Sequence, residues 1–250
     1  MNRLNLRKEI MDFSIIIPVF NEGRKIATDV QAASEFLSTH VDAGEILVVD
    51  DGSSDDTAQQ AHLPVPPNVS LRVIRYEKNR GKGHAVRTGM LASTGNFVMF
   101  ADSGLCIPYE NALRGLKQLK TGQCDLAHGS RKRPDSVIVR PHLKSRRLAS
   151  WLYLWFLRIY MRIPRHLTDA QCGFKMYKGE VARRIYGECI SDGFTFDIET
   201  ILRAQQYGYR ICEFPVEWTA DPDSRLKLSK MPFYIFKSLR RIKQELKRKH

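Results

Sequence analysis

The chain has 250 residues, 43% of them apolar, which suffices for one α/β unit with a continuous core and excludes a wholly disordered chain. Its five cysteines, Cys106, Cys124, Cys172, Cys189 and Cys212, form no C-x-x-C pair and are odd in number, which argues against a disulfide framework or zinc site and for a reducing, cytoplasmic setting. The net charge of +13 is concentrated in two segments: residues 131–168 and 225–250 each carry ten lysines and arginines against one acid, so the rest of the chain is mildly acidic.

Met1 to Asp12 lacks the apolar centre of a secretory signal and reads as a basic arm. Phe13–Val19 and Ile46–Val49 are short β-rich runs followed at once by polar loops, and between them Ile26, Val30, Ala33 and Leu37 recur at helical spacing. Leu71–Ile74 and Phe97–Phe100 predict further strands around a helix over 83–92. Pro108 suits the first turn of a helix carrying Leu113, Leu116 and Leu119, after which Asp125–His128 returns as a strand. This alternation predicts a single-domain α/β fold with a doubly wound, mostly parallel sheet, whose ligands bind beyond the carboxyl ends of the strands. A helix over Leu148–Ile163 carries Trp151, Tyr153, Trp155, Phe156 and Tyr160 and is apolar all round, so it is either buried or in contact with lipid. Its apolar run Leu148–Leu157 is about half of the ~20 residues needed to span a bilayer, so a membrane would be met at its surface, with no transmembrane helix. The last helix, roughly Pro232–Lys249, is basic and amphipathic: Ile235, Phe236, Leu239, Ile242 and Leu246 share a face opposite Lys237, Arg241, Gln244 and Arg248, a pattern that binds anionic lipid.

Chemistry is expected in the loops at the strand ends. Asp50 and Asp51 directly follow four apolar residues, so at least one should enter the crevice, while Ser54 or Asp55 caps the next helix. Asn79 to His84 supplies two glycines that let a ligand approach the backbone and Lys82 to meet a diphosphate, without the Walker spacing of a P-loop.

Taken together these residues resemble the family 2 glycosyltransferases along nearly the whole chain. Pro18-Val19-Phe20-Asn21-Glu22 is similar to the family's P-V-[YF]-N-E start, Val49 to Thr57 to its V-D-D-G-S-x-D-x-T loop, and Asn79 to Arg87 to its N-x-G-K-G-x-A-x-R segment. Gly129-Ser130-Arg131, Gln171-Cys172-Gly173-Phe174-Lys175, Phe196-Asp197-Ile198-Glu199 and Phe214 to Trp218 resemble the subgroup that glycosylates dolichyl or other polyprenyl phosphates; Gln171 to Lys175 is closest to its glucosyltransferases. The resemblance implies a GT-A type, Rossmann-like fold with a nucleotide-sugar half (12–128), an acceptor half (129–224) and the basic tail (225–250). It implies donor contacts from Pro18, Phe20, Glu22, Asp50, Asp51, Lys82, Ala101, Asp102 and Ser103, catalytic roles for Asp102, Arg131 and Lys175, and acceptor contacts from Gln171 and Asp197. Arg225 and Lys227 join the acceptor set by their position after the last strand. The implied reaction is inverting transfer of a hexose from UDP-glucose or GDP-mannose to a polyprenyl phosphate, by a protein peripheral to an anionic membrane surface.

One motif departs from the family. Where D-x-D holds a divalent metal, Mg²⁺ or Mn²⁺, on the diphosphate, this chain keeps Asp102 but has Gly104 at the second acidic position and Cys106 where Gln would fall. Three consequences stay open: a metal held weakly by Asp102 alone, neutralisation of the leaving group by Lys82 and Arg131, or a non-catalytic nucleotide-sugar-binding relative. A lipid phosphate, with a second pKa of roughly 6, is already a nucleophile near neutral pH and needs no side-chain base. A soluble transferase acting on a hydroxyl would need one, and Asp197 is the candidate. Nucleic-acid binding, suggested by the basic charge, explains none of the strand-end motifs.

Overall fold

Alternate burial of Phe13, Ile15, Ile17 and Val19 on one face and Ile16 on the other makes Phe13–Val19 a central strand, β1. The computed structural model describes residues 12–140, 144–220 and 231–248. In the first half, β1 is followed by α1 (Ile26–His40), β2 (Gly44–Asp50), the single turn α2 (Thr57–Gln60), β3 (Val69–Arg75), α3 (Lys82–Ala92) and β4 (Phe97–Ala101). Pro108 lies just before the helical region instead of inside it, ahead of a 3-10 turn at Tyr109–Asn111 that leads into α4 (Ala112–Lys120). The second half contains β5 (Leu126–Ser130), β6 (Val137–Arg140), α5 (Lys144–Tyr160), β7 (Phe174–Lys178), α6 (Gly179–Glu188), α7 (Phe196–Gln206), β8 (Ile211–Pro215), β9 (Glu217–Thr219) and α8 (Met231–Arg248).

Among the described residues seven strands form one sheet in the order β3-β2-β1-β4-β7-β5-β8. All neighbours are parallel except β7, which runs antiparallel to both β4 and β5, so both halves of the chain share one mostly parallel sheet. Connections leave β1 and β4 toward opposite edges, which opens a crevice at their carboxyl ends. The short β6 and β9 pair separately, in parallel.

Helices cover both faces. α1 and α4 pack on the face carrying Phe13, Ile15, Phe174 and Phe214. On the other face α3, α6 and α7 pack against Ile16, Val49 and Phe100. α3 lies so close to the sheet that a Cβ on Gly89 would stand 2.5 Å from Ile16.

The last helix corrects the reading of its apolar face. Leu239 and Ile242 are fully buried in the core, Ile235 and Leu246 pack against it, and Lys243 donates to the Tyr160 carbonyl at 2.8 Å while lying over that ring. Four of the five residues expected to meet lipid are thus packed on protein, while the fifth, Phe236, is exposed together with Tyr234. α5 is likewise not uniform: Leu154 and Leu157 are buried, whereas Trp151, Leu152, Trp155 and Ile159 project outward. Among the described residues no helix is long and apolar enough to cross a membrane.

Candidate functional site

The ends of β1 and β2 are tied by polar contacts that leave little freedom to the donor loops. Asn21, at φ 53°, donates its amide to Ser53 Oγ (2.8 Å) and accepts the Ser54 amide on its side chain (2.8 Å), while the Glu22 amide donates to Thr57 Oγ1 (2.8 Å). Asp55, not Ser54, serves the next helix, accepting the Thr57 amide at 3.1 Å. Pro18 is half-buried and Phe20 exposed beside this knot, with Glu22 3.6 Å from Lys25.

Both carboxylates at the end of β2, Asp50 and Asp51, are turned to internal work. Asp50 accepts the Ser53 amide at 2.9 Å and faces Arg75 at 3.3 Å. Asp51 accepts the amides of Arg80 (2.8 Å) and Gly81 (2.9 Å), which fixes the glycine loop preceding α3 against β2. Gly81 has φ 105°, a region closed to most side chains, and a Cβ there would strike the Asp192 carbonyl at 2.5 Å. Asp192 completes this corner by accepting from Arg87 at 2.6 Å, and its carbonyl receives the His84 amide at 3.1 Å.

Lys82 opens α3 and reaches Asp102, just beyond β4, at 2.5 Å. Burial would lower the Lys82 pKa, but Asp102 and then Asp197 hold the ammonium above the ordinary lysine value. Asp102 lies against the Cα of Gly173, where any Cβ would come within 2.1 Å of the carboxylate, and its amide donates to the Gly173 carbonyl. Ala101 is buried in the β4–β7 pairing. Ser103 turns away from the crevice: its hydroxyl donates to buried Asp29 of α1 at 2.5 Å, and the Gly104 and Leu105 amides donate to the same carboxylate at 3.0 and 3.1 Å.

Arg131 follows β5 and forms a fork on Asp169, at 2.6 Å from Nε and 2.8 Å from the terminal nitrogen, with its guanidinium over the Trp218 ring. Burial alone would raise the Asp169 carboxyl, but Arg131 outweighs it and brings the pKa down to about 2. Asp169 is itself oriented by Glu213, which accepts its amide at 2.9 Å. Lys175 does not face the crevice as a free cation: it is fully buried, donating to the Ala170 carbonyl at 2.8 Å and to Asp197. Burial keeps the Asp197 carboxyl above its ordinary value in spite of Lys175 and Lys82. Gln171 is exposed at the rim, and Cys172 between these groups has its thiol pushed up to about 12 by burial. Arg225 and Lys227 lie outside the described residues.

The structure therefore gathers Lys82, Asp102, Arg131, Asp197 and Lys175 into one electrostatically coupled group beside the glycine loop. Sequence reading missed Asp29, Asp169 and Asp192, which hold the loops in place. Asp29 had a signal, being an acid on the face shared by Ile26, Val30 and Ala33. The donor set does not suit a divalent metal. Asp102 is paired with an ammonium, Gly104 offers no side chain, and among the described residues no three of His, Cys, Asp and Glu come together.

The model of the family described as Glycosyl transferase family 2 matches residues 14–186. The chain is 30% identical over 236 residues to the dolichyl-phosphate beta-glucosyltransferase of Homo sapiens, covering 88% of this chain and 70% of that protein. It is 27% identical over 241 residues to the protein of the same name from Dictyostelium discoideum, covering 92% and 73%. Glycosyltransferase AglD of Haloferax volcanii is 29% identical over 220 residues, which are 87% of this chain and 35% of that longer protein. Glucosyl-3-phosphoglycerate synthase from Mycobacterium tuberculosis, solved with Mn²⁺, UDP and glucosyl-3-phosphoglycerate, matches with a TM-score of 0.67 at 19% identity over 94% of this chain and 78% of that one, a likeness of fold.

Proposed function

Because the chain belongs to glycosyl transferase family 2, we propose that it transfers a hexose from a nucleoside-diphosphate sugar, UDP-glucose foremost, to a polyprenyl phosphate presented at a membrane surface. The observation that carries the choice of acceptor is the Lys175–Asp197 pair. Asp197 is the carboxylate that a hydroxyl acceptor would need as base, and it is buried and engaged by Lys175. A phosphate acceptor needs no such base, because its oxygen is anionic near neutral pH. The relatives named dolichyl-phosphate beta-glucosyltransferase support the same choice.

In this reading an acceptor phosphate oxygen attacks the anomeric carbon from the face opposite the leaving group. The carbon–oxygen bond to the diphosphate breaks, its electron pair leaves on the nucleoside diphosphate, and the configuration inverts. Two anions must meet, so the site has to supply positive charge where the diphosphate departs. Lys82 stands at the amino end of α3, where its charge adds to the helix dipole; Gly81 and Gly83 on either side of it admit the close approach of the 191–193 backbone and not of a ligand. Arg131, already oriented by Asp169 and Trp218, stands on the acceptor side, so no rearrangement is needed when charge develops. The membrane contact is assigned to the outward residues of α5, Trp151, Trp155 and Ile159, flanked by the basic residues of 131–168.

The test incubates the protein with radiolabelled UDP-glucose or GDP-mannose and three acceptors: a polyprenyl phosphate, 3-phosphoglycerate and a simple sugar. Label should enter the organic phase from UDP-glucose with polyprenyl phosphate. Label confined to a water-soluble product would replace the lipid acceptor with a soluble one.

A further inference from the structure

We propose that Lys82 takes the place of the divalent metal in this chain, so that an ammonium held on Asp102 binds the donor diphosphate and stabilises the departing nucleoside diphosphate without a metal ion. This rests on the reading that the donor lies at the carboxyl edge of β1, β2 and β4.

Three independent features of the structure converge on it. The first is the use of Asp102, whose carboxylate in a metal-dependent site would face the ion and here faces the Lys82 ammonium at 2.5 Å. A divalent cation could take that carboxylate only by displacing the ammonium or by standing beside it against like charge. The second is the fate of the second acidic position. Gly104 supplies no oxygen from a side chain, and the backbone of 103–105 is turned toward α1, where Asp29 accepts the Ser103 hydroxyl and the Gly104 and Leu105 amides. The loop is thus anchored away from the place where a second ligand would be required.

The third feature is the setting of Lys82 itself. It is the first residue of the eleven-residue helix α3, so its charge adds to the positive end of the helix dipole. The loop before it is fixed by Asp51 through the Arg80 and Gly81 amides, and the first turn of α3 by Asp192 through the His84 amide. Lys82 therefore emerges from rigid backbone, and Asp102 sets the direction of its flexible stem. Holding a cation in this way avoids the dehydration that Mg²⁺ resists, and Arg131 supplies a second charge near Asp102.

The experiment is calorimetric titration of the intact protein with UDP and, in parallel, GDP, in excess EDTA and again in millimolar Mn²⁺. The tighter nucleotide should bind with the same dissociation constant in both conditions, within about twofold. Lys82→Met should weaken it in EDTA on the order of tenfold or more, since a charge-assisted contact is lost, whereas Lys82→Arg should retain most of the affinity. Gly104→Asp should create a Mn²⁺ requirement, visible as bound Mn²⁺ by electron paramagnetic resonance. Wild-type binding that vanishes in EDTA and returns with Mn²⁺ would overturn the proposal without relying on any variant. So would a Lys82→Met protein that binds as tightly as wild type. If neither nucleotide binds in either condition, the donor-site reading fails and this proposal with it.

Discussion

His128 is poorly served by its surroundings. It sits fully within the core on β5, its ring 5.9 Å from that of Tyr177, and neither ring nitrogen has a hydrogen-bond partner among the described residues. Burial first, and Lys175 second, hold its pKa well below the ordinary histidine value. The ring is thus neutral in the fold, while in the unfolded chain it takes up a proton as pH falls through about 6.5, so acid favours unfolding. Between about pH 7 and pH 5 this one group should remove about 2 kcal/mol of stability. His128→Phe should lose that much less over the same interval in urea titrations, and an equal loss in both proteins would show that the ring is solvated. At this scale the sequence was uneven as a guide. Asp50, Asp51, Lys82 and Asp102 announce themselves by standing at strand ends, but what each touches depends on partners far along the chain. The sequence marks Asp51 as a ligand for the nucleotide, whereas its carboxylate is occupied by the amides of Arg80 and Gly81. The sequence likewise marks Lys175 as a cation for the phosphate, whereas the residue lies fully buried inside β7, paired with Asp197 of α7.

Among the elements, the first four strands and their helices were legible because hydrophobic periodicity is a local property, and each boundary falls within a few residues of its pattern. In the second half β5, α5 and α8 are legible in outline, and the remaining elements only as motifs. The reversal of β7 arises from pairing with β4 and β5 and leaves no local mark, and β6 and β9 are too short to show a period. The α8 helix illustrates a different difficulty, since an amphipathic stripe records that a face is covered and not by what. Here Leu239 and Ile242 lie in the core with Leu154 and Leu157 of α5. Leu239→Ala should therefore cost about 2–5 kcal/mol in denaturant unfolding without any lipid present, the range for a cavity left by a core leucine. A helix that used this face for lipid would show no such loss in solution.

For the whole molecule, charge and exposed aromatic surface are arranged together. Trp151, Trp155 and Ile159 project from α5, and the Tyr160 ring joins α5 to exposed Phe236 of α8 at 5.5 Å. Both helices belong to the strongly basic segments of the chain. Such a surface should bind anionic vesicles through insertion of the aromatic rings, aided by attraction that salt screens. Replacing Trp151 and Trp155 together by serine should weaken vesicle sedimentation on the order of tenfold or more, given the burial value of two large side chains, and leave UDP binding intact. Unchanged sedimentation would move the contact elsewhere. The antiparallel placing of β7 has a further consequence for the plan of the molecule. The chain leaves the sheet at Ser130 and re-enters at Phe174 on the neighbouring strand, with the Phe174 carbonyl 3.1 Å from where a Gly129 side chain would begin. The excursion 131–173 thus departs and returns through one doorway. Within it Leu154, Leu157, Met161 and Ile163 are core residues packed with Leu239 and Ile242, and Asp169 and Gly173 hold Arg131 and Asp102, so these positions are bound to the rest of the fold. What the excursion leaves open to change is its outward face, Trp151, Leu152, Trp155 and Ile159, which can be recast for a different partner without touching the residues that hold the site.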